Sequence, residues 1–430
     1  MWYAANLGTA ASGDRRRLER ELDRLQQIGV TNVRIMAASE GLPPPAPACE
    51  HWCEHGRGHC VFEHNEQNGC ACWGCMHCGT ELEAGGGIES VCPKASGGRV
   101  RPEMQPEAGR YDEAVLEGLD FALAMMAERG LSAVLCLGNM WQWSGGFASY
   151  VAWATGERAP HMGPGATDGD WQAHQNFAIR FYELPAAQAL WYAYVKALLL
   201  RTNTVSGVEY RADPAIMAWQ LANEPRAISK GDAYRRWIGE AAAFIKGIDA
   251  HHLVSLGSEG ATPWPEYVGV HLAEDHVAID YVTIHVWPQN WNWYHPSDAD
   301  PAAALEHAWQ LSEAYVRSSL QSVAALGKPM VVEEFGLARD GGSYAAGGST
   351  HQRDAFLGRM CTLLSALHGV AGLNVWAWGG EGRPSRPKAS WRPGDDWVGD
   401  PPHEYQGWYS VYDDDTTTHA ALSECARLFG

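Results

Sequence analysis

Eight short apolar runs, each separated from the next by a longer amphipathic stretch, predict an α/β fold built from parallel strands. The runs are continuously apolar rather than alternating, as strands covered on both faces are. Eight strand–helix units in 430 residues fit one (β/α)8 TIM barrel, a single domain over residues 1–430. The expected strands are 3–8, 32–37, 132–138, 215–222, 253–257, 280–286, 329–334 and 371–376. Helical periodicity falls between them at 15–27, 112–129, 186–200, 233–248, 302–325 and 351–367, with a last helix at 418–428. Only the helix after the fifth strand is poorly marked.

Three connections are enlarged: a Cys-rich insertion at about 43–105 after strand two, a Trp-rich loop at 139–185 after strand three, and 379–406 after strand eight. All three leave the carboxyl ends of strands, the face where barrel active sites lie, so they are expected to wall the cleft.

Eight of the 11 cysteines lie between Cys49 and Cys92, in a Gly-rich segment with too few aliphatic residues to build a core. Such a segment must be stapled by disulfides or by metal. Cys70, Cys72, Cys75 and Cys78, with several histidines nearby, also offer ligand types suited to structural zinc. The even count favours disulfides and a secreted protein. Cys361 and Cys425 fall on the last two expected helices and form a candidate fifth bridge, whereas Cys136 reads as a free buried thiol.

The net charge is −19, from 32 basic and 51 acidic residues, with no basic tract. That argues against nucleic acid and anionic membrane as partners, because phosphate binding requires clustered Lys and Arg. No stretch reaches the roughly 18 apolar residues of a membrane span. Met1 runs directly into Trp2-Tyr3-Ala4-Ala5-Asn6-Leu7, so either the protein is intracellular or, the reading preferred here, it is extracellular and its signal peptide is absent from this sequence.

Two acidic motifs carry the chemistry. Asn223-Glu224-Pro225 closes the apolar run 215–222, and Glu334-Phe335-Gly336 closes 329–333. At the ends of strands four and seven of a barrel, Glu224 and Glu334 face one another across the mouth. A facing pair of carboxylates is what glycosidic bond cleavage needs, one protonated for the leaving oxygen and one ionised to attack the sugar. Twenty tryptophans outnumber 16 tyrosines and 9 phenylalanines, and many fall in predicted loops: Trp141, Trp143, Trp153, Trp171, Trp264, Trp287, Trp291 and Trp293 among them. Tryptophan prefers burial, so a cluster of loop tryptophans suits a cleft in which pyranose C–H faces stack. Loop histidines such as His174 and His403 read as ordinary hydrogen-bonding residues.

The phrases Asn32-Val33-Arg34-Ile35, Trp141-x-Trp143-Ser144-Gly145-Gly146, Asn223-Glu224-Pro225-Arg226, His285-x-Trp287, Glu334-Phe335-Gly336 and Asn374-x-Trp376 together resemble glycoside hydrolase family 5 of clan A, in its endo-β-mannanase branch. The resemblance covers most of the chain outside the insertion. It implies Glu224 as acid/base and Glu334 as nucleophile, with Arg34 keeping Glu334 ionised. It further implies that Asn223 contacts the sugar 2-hydroxyl and that His285 sits beside the acid/base. Trp376 becomes the floor at the cleavage point, Trp143 a binding wall, and Arg226 a contact on the leaving-group side. Glu333 is expected to point the opposite way from Glu334 and to be structural. One departure is Trp287, where relatives carry a tyrosine that steadies the nucleophile; either another hydroxyl does that job or Trp287 walls the cleft.

The expected function is a retaining endo-acting hydrolase of β-mannan, glucomannan or galactomannan, a monomer that needs no metal or organic cofactor. Glu224 is expected to have a raised pKa and Glu334 a low one. An exo-β-mannosidase or a β-1,4-glucanase on the same barrel is the alternative, and a non-catalytic carbohydrate-binding barrel a further one.

Overall fold

A computed structural model describes residues 1–41, 98–160 and 166–430. The eight cysteines at 49–92 and the staples expected there lie outside the described residues. Strands β1 (Asn32–Met36), β2 (Ser132–Cys136), β3 (Ile216–Gln220) and β4 (Leu253–Ser255) pair in that order, all parallel. Strands β5 (Val282–Val286), β6 (Met330–Phe335) and β7 (Val370–Leu373) form a second parallel run. A parallel bridge between Ser255 and Tyr281 links the two runs. A short pair, β8 (Trp378–Gly380) and β9 (Val411–Tyr412), follows the last of them.

The strands are short, and all but β7, which is half-buried, lie mostly buried beneath helices. Arg15–Gln27 shows how the sequence specifies one such helix. Asp14 caps it by accepting from the Arg17 N–H at 2.9 Å, and Leu18, Leu22 and Leu25 recur at helical spacing on the buried face. Its buried Glu21 accepts from Tyr3, from the Trp378 indole and from the Glu381 N–H, fastening the helix to the end of β8. The expected helices at 112–129, 186–200, 233–248, 302–325, 351–367 and 418–428 appear as Glu113–Glu128, Pro185–Leu199, Gly231–Ile248, Pro301–Val323, His351–Ala366 and Thr416–Phe429. The weak signal after the fifth expected strand is explained by two four-residue turns, Pro265–Val268 and Leu272–Asp275.

Two expectations fail. The run 3–8 is not a strand; Ala4–Leu7 is a helical turn. Its small residues press against the helix Glu113–Glu128, and a Cβ at Gly118 would stand 2.2 Å from the Ala5 carbonyl oxygen. Ala4, Ala5 and Gly8 are there for backbone approach, which mimics the apolar signature of a buried strand. The Trp-rich segment is also largely helical, with Gly146–Thr155 and Asp168–Ala178 inside it. Thr167 and Asp170 close a capping box that starts the second of these.

The bridge expected between Cys361 and Cys425 is present and joins the last two long helices across 64 residues of sequence. Cys136 is a buried free thiol. Replacing Cys361 and Cys425 by serine is expected to lower unfolding free energy by about 2–4 kcal/mol, because the unfolded chain regains loop entropy. Thermal or denaturant unfolding of the double variant checks this, and an unchanged midpoint would rule it out.

Candidate active site

Both acidic motifs stand at strand ends. Beyond β3 the backbone stays in register, with the Asn223 N–H donating to the Gly138 carbonyl and the Glu224 N–H to the Gly257 carbonyl, each at 2.9 Å. Glu224 itself has φ 49°, a left-handed conformation that costs a non-glycine residue on the order of 1 kcal/mol or more. That turn leaves its carboxylate lining a cleft of about 700 Å³. Glu334, one residue before the end of β6, lines the same cleft.

His285, on β5, lies between the two. Its Nδ1 is 2.7 Å from Glu224 Oε1 and 3.4 Å from Glu334 Oε2. Oxygen atoms of both glutamates and this nitrogen all fall within 4.8 Å of one another. The other Glu224 oxygen accepts from the Trp141 indole N–H at 2.6 Å. Arg34, on β1, holds Glu334 through Nη1, donates to Asn223 Oδ1 at 2.9 Å through Nη2 and to Gln220 Oε1 at 2.7 Å through Nε. Asn223 in turn donates to Asn139 at 3.1 Å.

Glu333 corrects the sequence reading. It does not point away: its carboxylate accepts from Gln220 Nε2 at 2.7 Å and lies 3.7 Å from Arg34 Nε and 3.8 Å from His285 Nε2. The register between β5 and β6 shifts here, with Ile284 opposite Val332 but His285 opposite Glu334. Strand alternation fails at such an irregularity, and adjacent glutamates reach the same buried network.

Burial dominates the electrostatics. It pushes Glu334 up to about 7, despite the positive charges of His285 and Arg34 that favour its ionised form. Burial also works against ionised Glu224, but the hydrogen bond and charge of His285, with the Trp141 N–H, draw it down to about 2. Burial opposes a charge on His285 too, yet the carboxylates of Glu334, Glu224 and Glu333 raise it to about 10. These shifts favour a charged imidazolium on His285 beside an ionised Glu224.

Aromatic rings form the walls. Trp287 and Trp376 meet edge to face at 6.4 Å beside Glu334, and Trp141, Trp143, Trp171 and Trp291 line the rest. Arg226 lies 4.8 Å over the Trp141 ring and pairs with Glu259 at 2.5 Å.

Residues 1–59 and 88–428 match the family described as GH family 5 beta-mannosidase-like. The chain belongs to glycoside hydrolase family 5. A family 5 mannosidase from Rhizomucor miehei is 33% identical, with a TM-score of 0.79 over 100% of this chain and 91% of that one. Its complex with mannosyl-fructose, formed by a mutant, aligns with a TM-score of 0.77 and 33% identity, over 99% of this chain and 92% of that one. Mannan endo-1,4-beta-mannosidase 3 of Oryza sativa subsp. japonica is 36% identical over 249 residues, 54% of this chain and 49% of that protein. The chain thus spans about half the length of that curated relative, and 62% of mannan endo-1,4-beta-mannosidase 1 of the same plant, at 32% identity. An endo-beta-1,4-mannanase from Thermotoga petrophila, 21% identical with a TM-score of 0.64 over 97% of this chain and 74% of that one, shares the fold.

In this family 5 chain seven of the nine residues singled out in the sequence line one cleft, and the other two, Arg34 and His285, lie behind it against Glu334 and Glu224. The expected order of acidities is reversed, for a reason in the geometry: His285 is closer to Glu224 than to Glu334, and Arg34 divides its charge between Glu334 and Glu333. Trp287 is a wall, and no tyrosine hydroxyl bonds Glu334 among the described residues. The sequence reading missed Trp141 as a partner of Glu224, Glu259 as the partner of Arg226, and Glu404. Glu404 lines the cleft from the loop after β8, with one buried oxygen lacking a hydrogen bond, and burial holds its pKa well above the carboxylate range. The Trp141-x-Trp143 phrase marked the first; no local pattern marks the other two.

Replacing Arg34 by methionine removes the guanidinium that buried Glu333 and Glu334 share and leaves His285 to offset both. The expected cost is roughly 3–5 kcal/mol. It is largest at alkaline pH, where both are ionised, and smaller near pH 5, where Glu334 is already protonated. Denaturant unfolding at the two pH values checks this; a loss independent of pH would contradict it.

Proposed function

We propose that this protein is a retaining, endo-acting β-1,4-mannanase, taking mannan, glucomannan or galactomannan by double displacement on a closed (β/α)8 barrel. The approach of Glu224 and Glu334 to within 4.8 Å around His285, in an aromatic cleft at the strand ends, carries this reading. Retaining pairs stand about 5–5.5 Å apart, whereas inverting pairs leave room for a water at roughly 6.5–9.5 Å. The plant mannan endo-1,4-beta-mannosidases, the fold of the family 5 relatives and the unbroken parallel order of β1 to β4 and β5 to β7 support it further.

In this mechanism Glu334 attacks the anomeric carbon and Glu224 protonates the leaving oxygen. The pair Glu224–His285 holds one proton, and passing it from His285 to Glu224 leaves the pair's total charge unchanged. Sugar entering the cleft expels water, and a drier site favours the neutral pair over the ion pair, so substrate binding arms Glu224. Glu224 then takes the proton back from the water that releases the bound sugar. Arg34 orients Glu334, Asn223 meets the 2-hydroxyl, Trp376 floors the site, and Trp143, Trp287 and Arg226 contact neighbouring sugars. The disulfide joining Cys361 to Cys425 supports a secreted protein.

A second reading is an exo-acting β-mannosidase, supported by the Rhizomucor miehei mannosidase that aligns with the whole chain. Product lengths separate the two. Endo action releases oligosaccharides from soluble mannan, and exo action releases mannose alone. Glu334→Ala is expected to lower kcat by at least 10³-fold with folding retained, because the covalent route is lost; retained turnover would end the mechanism proposed here.

The pH profile gives an independent check. Glu334 must be ionised to attack, and its raised pKa means that kcat/KM falls as pH drops through about 7 in the free enzyme. An acid limb below the ordinary glutamate value of about 4.3 would show that Glu334 is not raised.

A further inference from the structure

Resting on the reading of Glu224 as proton donor, we propose that Trp264 and Tyr267 form a platform that binds sugars on the leaving-group side of the cleft, well beyond the cleavage point. Trp264 is 46% exposed, whereas every other described tryptophan is buried or half-buried. Tyr267 is 38% exposed, and both rings line the cleft. An exposed indole at a cleft rim needs a reason, because its large apolar ring prefers burial.

The side of the cleft follows from the contacts of Glu224. A proton donor touches the leaving oxygen, so the residues joined to Glu224 by contact, none of which bonds Glu334 among the described residues, flank the departing sugar. That path is continuous. Trp141 donates to Glu224, Arg226 lies over Trp141 and donates to Gln175 at 2.9 Å, and Gln175 donates to the Tyr267 hydroxyl at 3.0 Å. Gln175 is only 3% exposed and comes from the helix Asp168–Ala178, so it ties that wall to the turn Pro265–Val268.

The backbone holds the turn at a cost. Thr262 and Ile228 have φ 51° and 50°, left-handed conformations that β-branched residues rarely adopt. Thr262 accepts from the Trp264 N–H at 3.2 Å, and the Ile228 N–H donates to the Val268 carbonyl at 2.8 Å. Two strained residues thus clamp the aromatic turn to the loop that carries Arg226, and strain of this kind persists where surrounding structure enforces it. The ligand class is a β-linked hexopyranose chain, whose C–H faces stack on rings and whose hydroxyls reach the tyrosine. The occupant is the departing part of a polymer or long oligosaccharide.

The test compares mannohexaose with 4-nitrophenyl β-mannoside, whose leaving group is a single ring beside the cleavage point. Trp264→Ala is expected to lower the ratio of kcat/KM for the hexaose over that for the aryl mannoside about tenfold, with KM carrying the change, and Trp264→Phe is expected to restore most of it. An unchanged ratio, or equal loss on both substrates, overturns the platform. If the protein cleaves no mannoside, calorimetry of mannohexaose binding to Glu334→Ala, with and without Trp264→Ala, decides separately. Binding weakened by the second substitution upholds the platform although the proposed activity fails, and binding left unchanged overturns it.

Discussion

A buried guanidinium organises the centre of this protein. Arg34 is 8% exposed, and its three nitrogens reach Gln220 on β3, Asn223 beyond β3 and Glu334 on β6. Glu333 lies close enough to share the charge. Two adjacent carboxylates cannot be buried without compensating cations, since desolvation of an ion costs several kcal/mol even after relaxation. The positions of β1, β3 and β6 are therefore tied to one charge balance. His285 supplies the second cation and stands where it reaches both Glu224 and Glu334.

This balance also explains the resting protonation pattern. A site with one guanidinium would polarise toward an ionised Glu334 and a neutral Glu224. Adding an imidazole 2.7 Å from Glu224 inverts the order, since its charge and hydrogen bond favour the ionised form of Glu224. The rings around the pair have a double role. They exclude water, which strengthens each of these interactions, and they present flat apolar faces to the cleft. Trp141 bonds Glu224 through its indole N–H and carries Arg226 over its ring.

The fold was legible where periodicity is unambiguous. The helix Arg15–Gln27 and the strands around Arg34, Leu135, Trp219 and Val332 were all readable, because long amphipathic stripes and short apolar runs have few alternative packings. Reading failed at Ala4–Leu7, where small residues serve helix–helix approach, and at Asp168–Ala178, where a capping box starts a helix in a segment rich in loop-like residues. The nine residues around the cleft stood out in short motifs, most of them at strand ends. Glu259 and Glu404 were not, because each acquires its environment from segments distant in sequence.

The sequence by itself determined the strand–helix alternation, the two facing carboxylates, the cation beside them and the aromatic character of the cleft, since these depend on residue type and local spacing. The tertiary structure alone decided which carboxylate holds the lower pKa, that Glu333 turns inward, and that Trp264 stands at the rim. Those outcomes follow from a shifted strand register, from which of two carboxylates an imidazole meets first, and from how far a turn projects into solvent. Distances across the fold set each of them, and spacing along the chain does not encode such distances.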